Sequence, residues 1–132
     1  MKDTLQVGLS RTTTYNVDAE KCIGFMGDDA RVYATPFLIW DIEMTCRDLL
    51  MEHSDPGEDS VGTKVDVEQS APTLQGMQVD ITATISHLEG RAVTFDVSAS
   101  DGIDDIARCT HNRFIVDIEK TKQRLAAKAA KL

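Results

Sequence analysis

The segment YATPFLIWDIEMTCRDLL, Tyr33 to Leu50, places a carboxylate where a helix wants to be apolar. Successive helical residues turn by about 100°. Asp41, Thr45, Asp48 and Glu52 then share one polar stripe, expected to be the wet face. Glu43 lies roughly 200° around the axis from Asp41, with Ile39, Cys46 and Leu50 as its stripe neighbours. A carboxylate among residues that want burial is costly unless it is paired or used. Two readings stay open. Glu43 forms an i, i+4 ion pair with Arg47, or it lines a pocket as general base or nucleophile.

Gln69 is the second candidate. It continues the core-facing alternation of Val65 and Val67, just before the break at Pro72. An amide there is either the lip of a pocket or a side chain satisfied by backbone where a strand ends. Glu68 points the other way. Cys22, Cys46 and Cys109 are odd in number, widely spaced and free of any CxxC pairing. No His, Cys and Asp cluster has ligand spacing, so no metal is expected. The thiols read as buried and reduced, as in a cytoplasmic protein.

The elements that must position these residues follow from the changing period of the chain. RTTTYNV, residues 11–17, reads as a first strand. Residues 18–34 read as irregular, with MGDD as an exposed loop. A helix is expected from about Pro36 to Glu52, with Thr35 as N-cap, and SDPGEDS ends it. From residue 60 the period becomes two. Val61, Thr63, Val65 and Val67 alternate on one face of the next strand. Met77 to Ile85 do so on another, and Val93 to Ala99 on a third. A last long strand spans about 103–118, and the tail EKTKQRLAAKAAKL reads as a short helix or frayed end. The fold class expected is α+β: an antiparallel sheet wrapped around one long central helix.

Composition sets the outer bounds. The 132 residues suit one domain, with 42% hydrophobic and 27% charged residues. A net charge of -8 argues against a generic nucleic-acid surface. No run approaches the length of a membrane span, and MKDTLQVGLSRTTTY lacks the apolar core of a signal peptide.

Four pieces taken in order carry a resemblance: ATPFLIWDIE, GTKVDVEQSAPTLQG, HLEGR and SASDGIDDIARCTHNRFIV. Together they resemble the fluoroacetyl-CoA thioesterase-like proteins, a hot-dog-fold family, over about residues 5–118. The resemblance implies a single hot-dog domain over 1–132, with residues 119–132 as a tail. It also implies a homodimer, or a higher assembly, whose active sites lie at the dimer interface. The family's catalytic set is a Thr, a Glu eight residues later on the helix, and a His on the following strand. Thr35 and Glu43 match the first two; Gln69 stands where the His would be. Gly62 matches a glycine beside the substrate. Arg113, in THNR, is assigned to ligand phosphate or the interface, and His111 to structure.

Gln69 changes the chemistry expected, because an amide donates and accepts hydrogen bonds but does not exchange a proton near neutral pH. It can position a water or polarise a thioester carbonyl, leaving Glu43 as base on water or as nucleophile. The expected function is hydrolysis of a small or medium acyl-CoA thioester. Coenzyme A enters as part of the substrate and no other cofactor is expected. The alternatives are a non-catalytic module holding an acyl-CoA or other small acyl ligand, and hydration or dehydration of the acyl chain. Thr35 and Glu43 would stand about 12 Å apart along one helix, so they could meet across protomers or if regular helix began later.

Overall fold

The computed structural model describes residues 1–132. A threonine-rich first strand, β1 (Ser10–Asn16), leads into a segment held by two single 3-10 turns and a minimal hairpin of β2 (Cys22–Ile23) and β3 (Val32–Tyr33). The long helix α1 (Thr35–Met51) follows. Then come β4 (Glu58–Gln69), β5 (Gln78–Glu89), β6 (Ala92–Ser100), β7 (Asp105–Asp117) and a C-terminal helix α2 (Ile118–Ala129).

Five strands form one antiparallel sheet in the order β1-β5-β6-β7-β4. Alternation drives the packing. Val79, Ile81, Ala83 and Ile85 of β5 and Val93, Phe95, Val97 and Ala99 of β6 are buried. They meet Leu38, Ile42, Cys46, Leu49 and Leu50 of α1 in one core. Each large side chain so buried contributes roughly 1.5–3 kcal/mol. The α+β arrangement of a sheet wrapped around a central helix is the one expected.

Three local expectations need correction. Helix α1 starts one residue early: Ala34 is the N-cap, and the Thr35 hydroxyl makes no capping bond. The polar stripe is not uniformly wet, because Asp41 and Thr45 are buried. Tyr33 Oη donates to Asp41 Oδ2 at 2.5 Å, and Lys21 Nζ reaches both Asp41 oxygens at 3.0 and 3.1 Å. Thr45 Oγ1 donates to the Asp41 carbonyl, so its contact with Tyr15 Oη at 2.9 Å takes the proton from the phenol. These partners belong to β1 and to the segment wrapped over the helix, which helical periodicity alone cannot bring in.

The third correction is on β4. Its register against β7 shifts between Gly62 and Lys64, so one extra residue interrupts the alternation. Glu58 and Ser60 point inward before the bulge, and Val65, Val67 and Gln69 after it. Val61, expected inside, is exposed. The bulge also turns Gly62 toward α1. The tail is α2, exposed along its length except for half-buried Ile118 and Thr121, with the Asp117 carboxylate capping Lys120 N.

Candidate active site

Glu43 projects from the middle of α1 toward β4 and β7. A Cβ on Gly62 would stand 3.1 Å from Glu43 Oε1 and 3.2 Å from His111 Cε1. Glycine is therefore what lets the carboxylate come down onto the bulge. Behind it lies Arg113, 3% exposed, with Nη1 at 3.8 Å from Glu43 Oε2. Arg113 Nε donates to Ser60 Oγ and Nη2 to Ser60 O, both at 2.8 Å. Glu43 itself keeps 28% of its side chain exposed, so it is held from one side and open on the other.

The expected pair with Arg47 does not form. Arg47 turns to Asp59 on β4 and makes a fork with Nε at 2.9 Å and Nη2 at 2.6 Å. Planar two-bond geometry favours that carboxylate over the one four residues back on the helix. Asp59 is held below its ordinary pKa, chiefly by this hydrogen bond. Of the two roles expected of Arg113, ligand phosphate or interface, the first finds no support in this chain: enclosed by Ser60, His111 and Glu43, the guanidinium is 3% exposed. Burial pushes its pKa down, against the opposing pull of Glu43.

A second group forms at the other end of the helix. Thr35 Oγ1 donates to Gln69 Oε1 at 2.5 Å, and Gln69 Nε2 donates to Tyr33 O at 3.1 Å. The amide orientation follows, because a carbonyl can only accept. One Nε2 proton of Gln69 and the lone pairs of Thr35 Oγ1 remain for a ligand. They border a cleft of about 430 Å³ lined also by Ile23, Phe25, Val32, Pro36 and Ala71.

Within one protomer the two groups stay apart. Thr35 and Glu43 are separated by about 12 Å of helix. Gly62 and Gln69 lie roughly 20 Å apart along β4. Thr35 and Gln69 are brought together, and so are Glu43, Gly62 and Arg113, but the two sets do not meet.

His111, assigned to structure, was not placed at the site by sequence reasoning. It is fully buried beside Glu43 and Gly62. The signal was available, since Ala107, Cys109, His111, Arg113 and Ile115 alternate onto the inner face of β7. Burial lowers the His111 pKa, and the neighbouring guanidinium lowers it further. His53 and His87 are placed elsewhere: His53 meets Thr4 and His87 faces solvent.

Comparison with known proteins gives the geometry a family context. The family model described as fluoroacetyl-CoA-specific thioesterase matches residues 17–119. The fluoroacetyl-CoA thioesterase of Streptantibioticus cattleyicolor is 32% identical over 135 residues, covering 97% of this chain and 97% of that protein. A mutant of the fluoroacetyl-CoA-specific thioesterase FlK superimposes with TM-score 0.88 at 31% identity, over 96% of this chain and 99% of the other. A FlK complex with fluoroacetate and CoA gives TM-score 0.81 at 31% identity, over 89% and 99%. A hot-dog-like protein from Thermanaerovibrio acidaminovorans shares the fold, with TM-score 0.85 at 21% identity over 92% and 91%.

Proposed function

Because this chain belongs to the fluoroacetyl-CoA-specific thioesterase family, we propose that Glu43 is the working carboxylate of its acyl-CoA thioester hydrolysis. The chain is a hot-dog-fold thioester hydrolase; the residue roles, the acyl group and the assembly are the proposal. The observation that carries it is Glu43 seated on Gly62, backed by buried Arg113 and open on its other side.

As general base, Glu43 takes a proton from water while the hydroxyl oxygen bonds to the thioester carbonyl carbon. The tetrahedral oxyanion then collapses, the carbon–sulfur bond breaks, and the proton returns to the departing thiolate. The products are the acid and free coenzyme A. As nucleophile, Glu43 would instead displace the thiolate, and water would cleave the resulting anhydride. In either route the free Nε2 proton of Gln69 is suited to the developing oxyanion. The Thr35 oxygen, its proton committed to Gln69, is suited to accept from water or an acyl-chain donor.

Both sets of residues serve one reaction if the site is shared between two protomers, Thr35 and Gln69 of one facing the partner's Glu43 and the partner's Gly62. Two observations support a homodimer. β4 ends the sheet, leaving a twelve-residue edge without a partner strand. Beside it Trp40 is 58% and Val61 46% exposed. The apolar cleft next to Gln69 supports an acyl group of small or medium size, and the free thiols support a cytoplasmic setting. No helix is long and apolar enough to cross a membrane. No cofactor beyond the coenzyme A of the substrate enters the scheme.

The test is thiol release from a panel of short and medium acyl-CoAs. Turnover of at least one is expected, with a preference that shifts in Phe25→Ala, since Phe25 lines the cleft. Binding without turnover across the panel would contradict hydrolysis and favour a module that only holds an acyl-CoA.

A further inference from the structure

His111 has no surface in contact with solvent, and its ring stacks on Phe95 with centroids 6.4 Å apart. Its tautomer follows from its partners. Nδ1 lies 2.8 Å from Lys64 O, which only accepts, so Nδ1 carries the proton. Nε2 lies 3.2 Å from Arg113 Nη1, which only donates, so Nε2 is a bare acceptor. The two contacts agree on one neutral ring. Both nitrogens are engaged, so His111 cannot offer substrate the proton exchange that Gln69 lacks.

What His111 does offer is direction. Two of the three nitrogens of Arg113 are committed to Ser60. The third, Nη1, is shared between His111 Nε2 and the 3.8 Å approach to Glu43 Oε2. Ser60 and Lys64 flank the bulge at Gly62. Arg113 and His111 therefore grip β4 on either side of the one glycine that Glu43 touches.

We propose that His111 is a positioning residue for Glu43: by accepting from Arg113 Nη1 and donating to Lys64 O, it aims the guanidinium at the carboxylate and fixes the Gly62 bulge beneath it. Without the ring acceptor, Nη1 is free to swing, and the bulge loses its anchor at Lys64. The orientation of Glu43 toward the thioester then relaxes. The inference rests on Glu43 being the working carboxylate.

The experiment measures kcat and KM on the best acyl-CoA for wild type, His111→Leu, His111→Gln and Glu43→Gln, and for each His111 variant combined with Glu43→Gln. Thermal unfolding verifies that every protein is folded. His111→Leu is expected to lower kcat on the order of tenfold or more, as misplacement of a reacting group does, with a smaller effect on KM. His111→Gln keeps a donor and an acceptor and is expected to recover part of that loss. In the Glu43→Gln background neither His111 substitution should lower the residual rate further, since residues acting through one group are not additive. Wild-type kcat in folded His111→Leu would overturn the proposal. So would an equal fold-loss in both backgrounds, which would make the ring merely structural. If His111→Leu does not fold, His111→Gln with and without Glu43→Gln decides by the same comparison. Failure of the underlying reading looks different: Glu43→Gln alone would retain full turnover, removing both.

Discussion

Glu43 and Gly62 are in contact so close that a single added carbon on the glycine would stand 3.1 Å from the carboxylate oxygen. The same carbon would stand 3.2 Å from the His111 ring, which is buried and cannot step aside. Glu43 must be the group that moves. Gly62→Ala is therefore expected to lower kcat by roughly tenfold or more, since sub-ångström to ångström shifts of a reacting group are costly. Its melting temperature should fall modestly, because Gly62 has no positive φ but the added carbon still presses on the pinned His111 ring. Steady-state kinetics beside a melting curve makes the comparison; unchanged kcat would mean Glu43 tolerates displacement.

A site shared across two protomers predicts complementation. Gln69→Leu removes one half of each site and Glu43→Gln the other, so each variant alone should be nearly inactive. In a symmetric dimer assembled at random from equal amounts, half the dimers are mixed and each holds one intact site, giving about one quarter of wild-type turnover. Co-expression with two affinity tags isolates the mixed dimer, which alone should carry about one half of wild-type turnover. Activity that stays at the level of the parents would place both halves of the site in one chain.

The buried cluster around Asp41 is the fold's most exposed liability to substitution. Asp41→Ala would leave Tyr33 Oη and Lys21 Nζ without their acceptor in a largely buried site, where Lys21 keeps 20% of its side chain exposed. Losing one partner of a buried charged pair costs about 3–5 kcal/mol, so urea unfolding should shift to much lower midpoint. A loss below about 1 kcal/mol, the size of a surface pair, would contradict Asp41 acting as the buried anchor of this cluster.

His111 also ties stability to pH. Burial, the largest cause, and Arg113 lower its folded pKa; Lys64 O and Glu43 oppose them. The unfolded chain takes up the imidazole proton near the ordinary value of about 6.5, whereas the folded chain does so only at lower pH. This contribution is thus present above about pH 6.5 and is lost as pH falls through that value toward the folded pKa. Between pH 8 and pH 5, wild type should lose more unfolding free energy than His111→Gln. Parallel profiles would show that the folded ring titrates normally.

Much of this architecture was legible in the residues, and the failures have physical causes. The alternation of Val79 to Ile85 and of Val93 to Ala99 gave the buried face of two strands directly, because side-chain period and burial coincide there. The position of Glu43 opposite Asp41 followed from helical pitch, since one angle fixes it. What pitch could not tell is which face is wet: Lys21, Tyr33 and Tyr15 come from distant segments to bury Asp41 and Thr45. Nor could alternation reveal the bulge at Gly62, because an extra residue in one strand is defined only by its partner, β7. That bulge moved Val61 outward and put Gly62 under Glu43. Proximity along the helix made a pair with Arg47 one of two readings of Glu43, and Asp59 won the guanidinium with better geometry from across the structure. Thr35 read as an N-cap and Gln69 as a pocket lip or strand-end amide, linked only by the family resemblance, and the fold joins them by a hydrogen bond.

The central claim is that Glu43 performs the hydrolysis. Its most direct measurement is kcat for free-thiol release from the preferred acyl-CoA by wild type and by Glu43→Gln, which keeps the shape but removes the charge and turns one acceptor oxygen into a donor. The expected result is a fall in kcat on the order of a hundredfold or more, the scale of losing a general base, with binding of the acyl-CoA retained. Turnover by Glu43→Gln equal to that of wild type would contradict the claim and leave Glu43 as no more than the half-buried counter-charge of Arg113.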